Sequence, residues 1–114
     1  MTIDALADAI KASSSEELAQ RLANLLLEWK QDDTSVEALR TTISWFIGHS
    51  WFSANEVHNH ICELWSAFTI SSIDGIQGMT MNERLYSFGL ITRFDSATTD
   101  DARKVIYAKL LARA

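Results

Sequence analysis

The chain is predicted to be all-α: about six short helices in antiparallel pairs, forming one domain over residues 1–114. Three observations carry this. Proline is absent and glycine occurs only four times, so the usual punctuation of strands and turns is nearly missing. Capping-box tetrapeptides recur instead, at Ser14-Ser15-Glu16-Glu17, Thr34-Ser35-Val36-Glu37, Ser53-Ala54-Asn55-Glu56 and Thr80-Met81-Asn82-Glu83, with a weaker version at Thr98-Thr99-Asp100-Asp101. In each, a hydroxyl accepts from an unpaired first-turn amide and a carboxylate three residues on reaches back to the cap. Finally, every one of these starts opens a run of apolar residues at helical spacing.

The first helix is expected over about 3–12, with Ile3, Leu6 and Ile10 on one side, and the triple serine breaks it. The second, about 15–31, carries the clearest apolar stripe: Leu18, Leu22, Leu25, Leu26 and Trp29. Glu17 and Arg21 form an i,i+4 pair on its outer face. The third, about 35–47, buries Val36, Leu39, Ile43 and Phe46 or Ile47, and Gly48 terminates it. After an aromatic corner, His49-Ser50-Trp51-Phe52, the fourth runs over about 54–69 with Val57, Ile61, Leu64, Trp65 and Phe68 inward. Phe52 before the Ser53 cap and Val57 behind it have the spacing of a hydrophobic staple.

Residues 70–79, ISSIDGIQGM, show no helical period and read as a connector or functional loop. The fifth helix is expected over about 81–94, with Gly89 inside it at a cost of about 1 kcal/mol relative to alanine. The sixth, about 99–112, uses Ala102, Val105 or Ile106, and Leu110. Every second capped start is separated by 39, 46 and 45 residues, the pitch of HEAT-like helical hairpins. A compact bundle is the other arrangement these elements permit.

Charge is unevenly placed. The net −5 divides into eleven acids against four bases over residues 1–75 and four acids against six bases over 76–114. Nucleic-acid binding needs lysine and arginine to neutralise phosphates, so the acidic two-thirds argues against it. The late bases are expected to complement the C-terminal end of the last helix. No apolar run reaches the length of a membrane span, and Asp4 and Asp8 precede the first lysine, unlike a secretory signal. With one cysteine there is no internal disulfide, and the expected location is cytoplasmic.

Residues 41–83 stand apart. They hold Trp45, Trp51, Trp65, all three histidines and Cys62, together with Glu56, Glu63, Asp74 and Glu83, and no lysine or arginine. Within them, His58 with Cys62 and Glu56 with His60 are i,i+4 pairs of metal-binding type. The two pairs point roughly 160° apart, so they cannot form one four-ligand site. The expected roles are ordinary: Cys62 buried as a small apolar residue, the histidines partly exposed. No catalytic set emerges, because Cys62 lies mid-helix and Gly75-Ile76-Gln77-Gly78 lacks the lysine of a phosphate loop. The protein is therefore read as a non-enzyme that needs no metal or cofactor.

Four tryptophans are more than a core this size buries fully, so a marginal Trp45 or Trp51 is a candidate contact residue. An acidic, aromatic surface attracts basic partners and speeds their encounter. In size, acidity and its base-free 41–83 stretch, the chain resembles the small immunity proteins of bacterial toxin systems, including contact-dependent growth inhibition and colicin-like nucleases. The resemblance is one of general character and carries no functional residue across. It implies a protein that occludes the active or substrate-binding surface of a basic toxin domain. Asp32, Asp33, Glu37, Glu56 and Glu63, with Trp45 or Trp51, are the expected contact residues. The alternatives are a helical adaptor that homodimerises through its aromatic surface and, third, a metal- or cysteine-dependent enzyme.

Overall fold

The computed structural model describes residues 1–113, and it is all-helical. Among these residues there are seven α-helices: α1 (Ile3–Ser13), α2 (Glu17–Trp29), α3 (Val36–Gly48), α4 (Asn55–Phe68), α5 (Met81–Ser87), α6 (Ile91–Ser96) and α7 (Asp100–Lys109). No helix is long and apolar enough to cross a membrane.

The stripes seen in the sequence make the core. Ile3, Leu6 and Ile10 of α1, Leu22, Leu26 and Trp29 of α2, Ile43 of α3, and Ile61 and Phe68 of α4 are all buried in one hydrophobic cluster. A three-residue connection folds α2 back along α1. α4 packs on α1, more closely than on its sequence neighbour α3. That order makes the molecule a bundle and leaves the hairpin spacing without structural meaning. The bundle extends 46 Å in one direction and 24 and 20 Å in the others.

The caps differ in detail from expectation. Thr80 and Glu83 form the full reciprocal box at α5. At α3 and α7 the capping hydroxyl belongs to Ser35 and Thr99, one residue later than the tetrapeptides suggest. α2 and α4 start without a side-chain cap. Ser53 is diverted: its amide and hydroxyl both donate to the Glu16 carboxylate, tying the start of α4 to the start of α2. Glu17 and Arg21 do not form an ion pair among the described residues.

Two expected elements are corrected. Residues 70–79 are not an irregular loop: α4 continues as a π-helical turn over Thr69–Asp74 and a 3-10 turn over Ile76–Gly78. Ile73 and Ile76 are buried and anchor it to the core. The expected helix over 81–94 is two helices, because Gly89 adopts φ +63. The Leu90 amide donates to the Leu85 carbonyl and the Gly89 amide to Tyr86, the 6→1 and 5→2 bonds of a Schellman stop.

α7 ends the same way, with Leu111 in the glycine's place at φ 56, and with Ala112 and Leu111 donating to Tyr107 and Ala108. A left-handed leucine is strained and persists only where its surroundings hold it. Arg84 does this, donating from one nitrogen to both the Leu110 and Leu111 carbonyls. On α7, Ile106 and Leu110 face the core as expected, whereas Ala102 is exposed.

Candidate functional site

The site is built where α3 stops. Gly48 closes the helix and His49 caps it with a non-helical ψ of 10°. The His49 ring stacks on Trp45, with centroids 4.2 Å apart and planes 17° from parallel, and its Nδ1 lies 2.8 Å from the Trp45 carbonyl. Ser50 donates its hydroxyl to the Phe46 carbonyl. Next in the corner, Phe52 turns inward against His58, whereas Trp51 is 89% exposed. Glu16 fixes the far end of the corner through Ser53, and those two hydrogen bonds hold the Glu16 carboxyl below its usual range.

Between the end of α3 and the side of α4 lies a cleft of about 460 Å³. Ser44, Ile47 and Gly48 line it from α3, His58, Cys62 and Trp65 from α4, and Trp51 stands on its rim. Trp65 reaches across its base, its indole nitrogen 3.4 Å from the Ser44 hydroxyl. Cys62 is half-buried here, not fully buried as a core residue would be, and its sulfur lies 3.5 Å from His58 Nε2. Burial pushes the Cys62 thiol up from its usual range, which keeps it protonated and a poor nucleophile. Among the described residues no three histidine, cysteine or acidic side chains come together as a metal site.

The seven expected contact residues fall into two groups at opposite ends of α3, about 20 Å apart for its thirteen residues. At the near end, Trp45 in the last turn of α3 is 63% exposed and Trp51 in the corner is 89% exposed. Glu56 and Glu63 are both exposed on α4 and have no ion-pair partner among the described residues. Seven residues apart, they point within about 20° of one another, roughly 130° round α4 from His58 and Cys62. They therefore lie on a different face of α4 from the one that lines the cleft.

The far group is occupied by the chain's own cations. Asp32 accepts from the Thr34 amide and hydroxyl and from Lys109. Asp33 accepts from Arg93, and Glu37 lies 3.7 Å from Arg40. These contacts belong to a clasp that the sequence did not suggest. Lys109 is 1% exposed, and its ammonium donates to the Trp29, Asp32 and Thr34 carbonyls while lying 3.8 Å from the Trp29 ring centre. Arg93 adds bonds to the Lys30 and Asp32 carbonyls.

The late bases therefore do not simply serve the end of their own last helix. Lys109 and Arg93 close the C-terminal end of α2, and Arg84 closes that of α7. Burial drives the Lys109 ammonium below the usual lysine range, against the opposing pull of Asp32. The only local sign of this role is that Lys109 falls on the apolar side of α7 with Ile106 and Leu110.

No family model, curated protein or solved structure matches this chain.

Proposed function

We propose that this protein is a cytoplasmic binding module that neutralises a basic bacterial toxin domain, of nuclease type, by covering its active or substrate-binding surface. The observation that carries the reading is Trp51, 89% exposed on the rim of the cleft between α3 and α4, together with two carboxylates, Glu56 and Glu63, exposed on another face of α4 without an ion-pair partner among the described residues. An exposed indole over a preformed cavity is the kind of anchor that dominates binding energy, and unpaired acids steer a basic partner toward it. In this reading Trp45, Trp51, Glu56 and Glu63 make the contact. Asp32, Asp33 and Glu37, engaged by Lys109, Arg93 and Arg40, hold the scaffold.

The test is native mass spectrometry of the protein drawn gently from its source, at low and at high salt, alongside the Glu56→Lys/Glu63→Lys variant. The expected result is a basic polypeptide that accompanies the wild type at low salt only and is missing from the variant. Exposure of Trp45 and Trp51 also favours a second reading, an adaptor that self-associates through these rings. That reading gives a homodimer indifferent to salt, and finding one would displace the first.

A further inference from the structure

The cleft between α3 and α4 is set apart by the side chains that line it. No lysine, arginine, aspartate or glutamate contributes to its walls. Four other cavities of the molecule each have charged side chains in theirs, such as Lys30 and Arg93 in one and Glu28 and Asp32 in another. α4 does carry charge, but Glu56 and Glu63 lie roughly 130° round the helix from His58 and Cys62. The Cys62 thiol could become an anion inside the cleft, and burial keeps it protonated.

What remains in the lining is largely ring and hydrocarbon. Ile47 and Trp65 are buried side chains that reach the cleft from either helix, and the Trp51 indole stands 89% exposed on its rim. The single polar group of the Trp65 ring is taken by the Ser44 hydroxyl, 3.4 Å away. At about 460 Å³ the space falls among preformed binding sites, which run from about 300 to 1,000 Å³. A charged group entering it would give up its water and meet no opposite charge, which is unfavourable. An aromatic ring sheds its water readily and gains contact with two indoles in the offset or tilted geometry that aromatic pairs favour. The molecule assembles its own core in this way, with Phe88 tilted against Trp29 and edge-on to Phe68. An aliphatic side chain would occupy the space without the ring-to-ring contact.

We propose that this cleft seats one aromatic side chain (phenylalanine, tyrosine or tryptophan) of the protein's partner, against Trp51, Trp65 and Ile47. The proposal rests on the binding-module reading and names the group that the site recognises. Recognition is then divided between two faces of α4. The uncharged cleft holds the anchor and sets how long the partner stays, while Glu56 and Glu63 attract the partner's bases and set how fast it arrives. The partner's contact surface accordingly presents an exposed ring with lysines or arginines to one side of it.

The experiment uses the intact protein labelled at its tryptophan indoles and followed by NMR. N-acetyl-phenylalanine methylamide is titrated at millimolar concentration, with the leucine and arginine analogues as controls. The expected result is saturable movement of the Trp51 and Trp65 indole signals with Trp29 unmoved. Half-saturation should come at a concentration about fivefold below that of the leucine analogue and be the same at low and high salt. The arginine analogue should not saturate these signals. In the Trp51→Ala variant half-saturation at Trp65 should rise several-fold, while an unchanged Trp29 signal shows that the fold is intact. Equal half-saturation for phenylalanine and leucine, a preference for arginine, or no saturable movement would each overturn the proposal. If the probe fails while a basic polypeptide is still captured at low salt, the aromatic seat is wrong and the binding-module reading stands. If the probe saturates the cleft but only a salt-indifferent homodimer is found, the occupant is a second copy, and the proposed partner falls together with the toxin-binding reading.

Discussion

Lys109, the last residue of α7, holds its ammonium 3.8 Å from the ring centre of Trp29, the last residue of α2, and donates to that residue's carbonyl. One side chain thereby joins two helix ends that are eighty positions apart. It also satisfies the Asp32 and Thr34 carbonyls of the turn into α3.

Lys109→Met keeps most of the stem's volume and removes every one of these bonds. Leaving buried carbonyls unpaired costs about 3 kcal/mol. For a domain of this size that lowers Tm by roughly 10–15 °C. Thermal unfolding followed by circular dichroism measures it, and a change of under a degree or two would show that the clasp is ornamental.

Gly89 is the second fixed point. Its φ of +63 disfavours any side chain, and a Cβ there would collide with the Asp4 carboxylate and the Lys30 side chain that pair across it. Gly89→Ala is expected to lose about 2 kcal/mol through left-handed strain and displacement of that pair. The shift in urea midpoint at unchanged slope gives the value directly.

Acid should loosen the Glu16–Ser53 tie at the corner and the Thr80–Glu83 cap of α5. Hydrogen bonds from Ser53 lower the Glu16 pKa, and those from Thr80 lower that of Glu83, both from an ordinary 4.5. A carboxylate depressed in the folded state adds stability that is present above its unfolded pKa. That contribution is lost as the pH falls through the lowered folded value. Stability should therefore be flat from neutrality to about pH 5 and decline progressively below 4.5. Glu16→Gln should be less stable at neutral pH and show a shallower decline. An unchanged acid profile would remove the Glu16–Ser53 tie from the account.

Much of this architecture is legible in the sequence, and the exceptions have physical causes. The helices of the first half follow from apolar stripes such as Leu22, Leu26 and Trp29, whose spacing is a local property. Residues 70–79 hid their helical character because a π turn shifts the period that pattern reading relies on. Gly89 was visible, but whether a glycine sits inside a helix or stops it depends on φ, which composition does not encode. At the candidate site, the surplus of tryptophans signalled that Trp45 or Trp51 would lie at a margin. Asp32 and Asp33 looked equally available, since their partners Lys109 and Arg93 lie sixty and more residues away.

Trp51→Ala separates binding from folding. The ring is 89% exposed, so its removal should change stability by less than about 0.5 kcal/mol. On the proposed binding reading, its loss should weaken the partner complex by about 2 kcal/mol or more, seen as faster dissociation. Equal dissociation rates for wild type and variant would place the contact elsewhere on the molecule.

The most direct measurement is the association rate of the captured basic partner with wild type and with Glu56→Lys/Glu63→Lys, followed by stopped flow across a range of ionic strength. The wild-type rate should fall steeply with salt, and the variant should be slower at low salt by about tenfold or more with a nearly flat dependence. Identical rates and identical salt dependence in the two proteins would contradict this expectation, because the acidic face of α4 would then play no part in recognition.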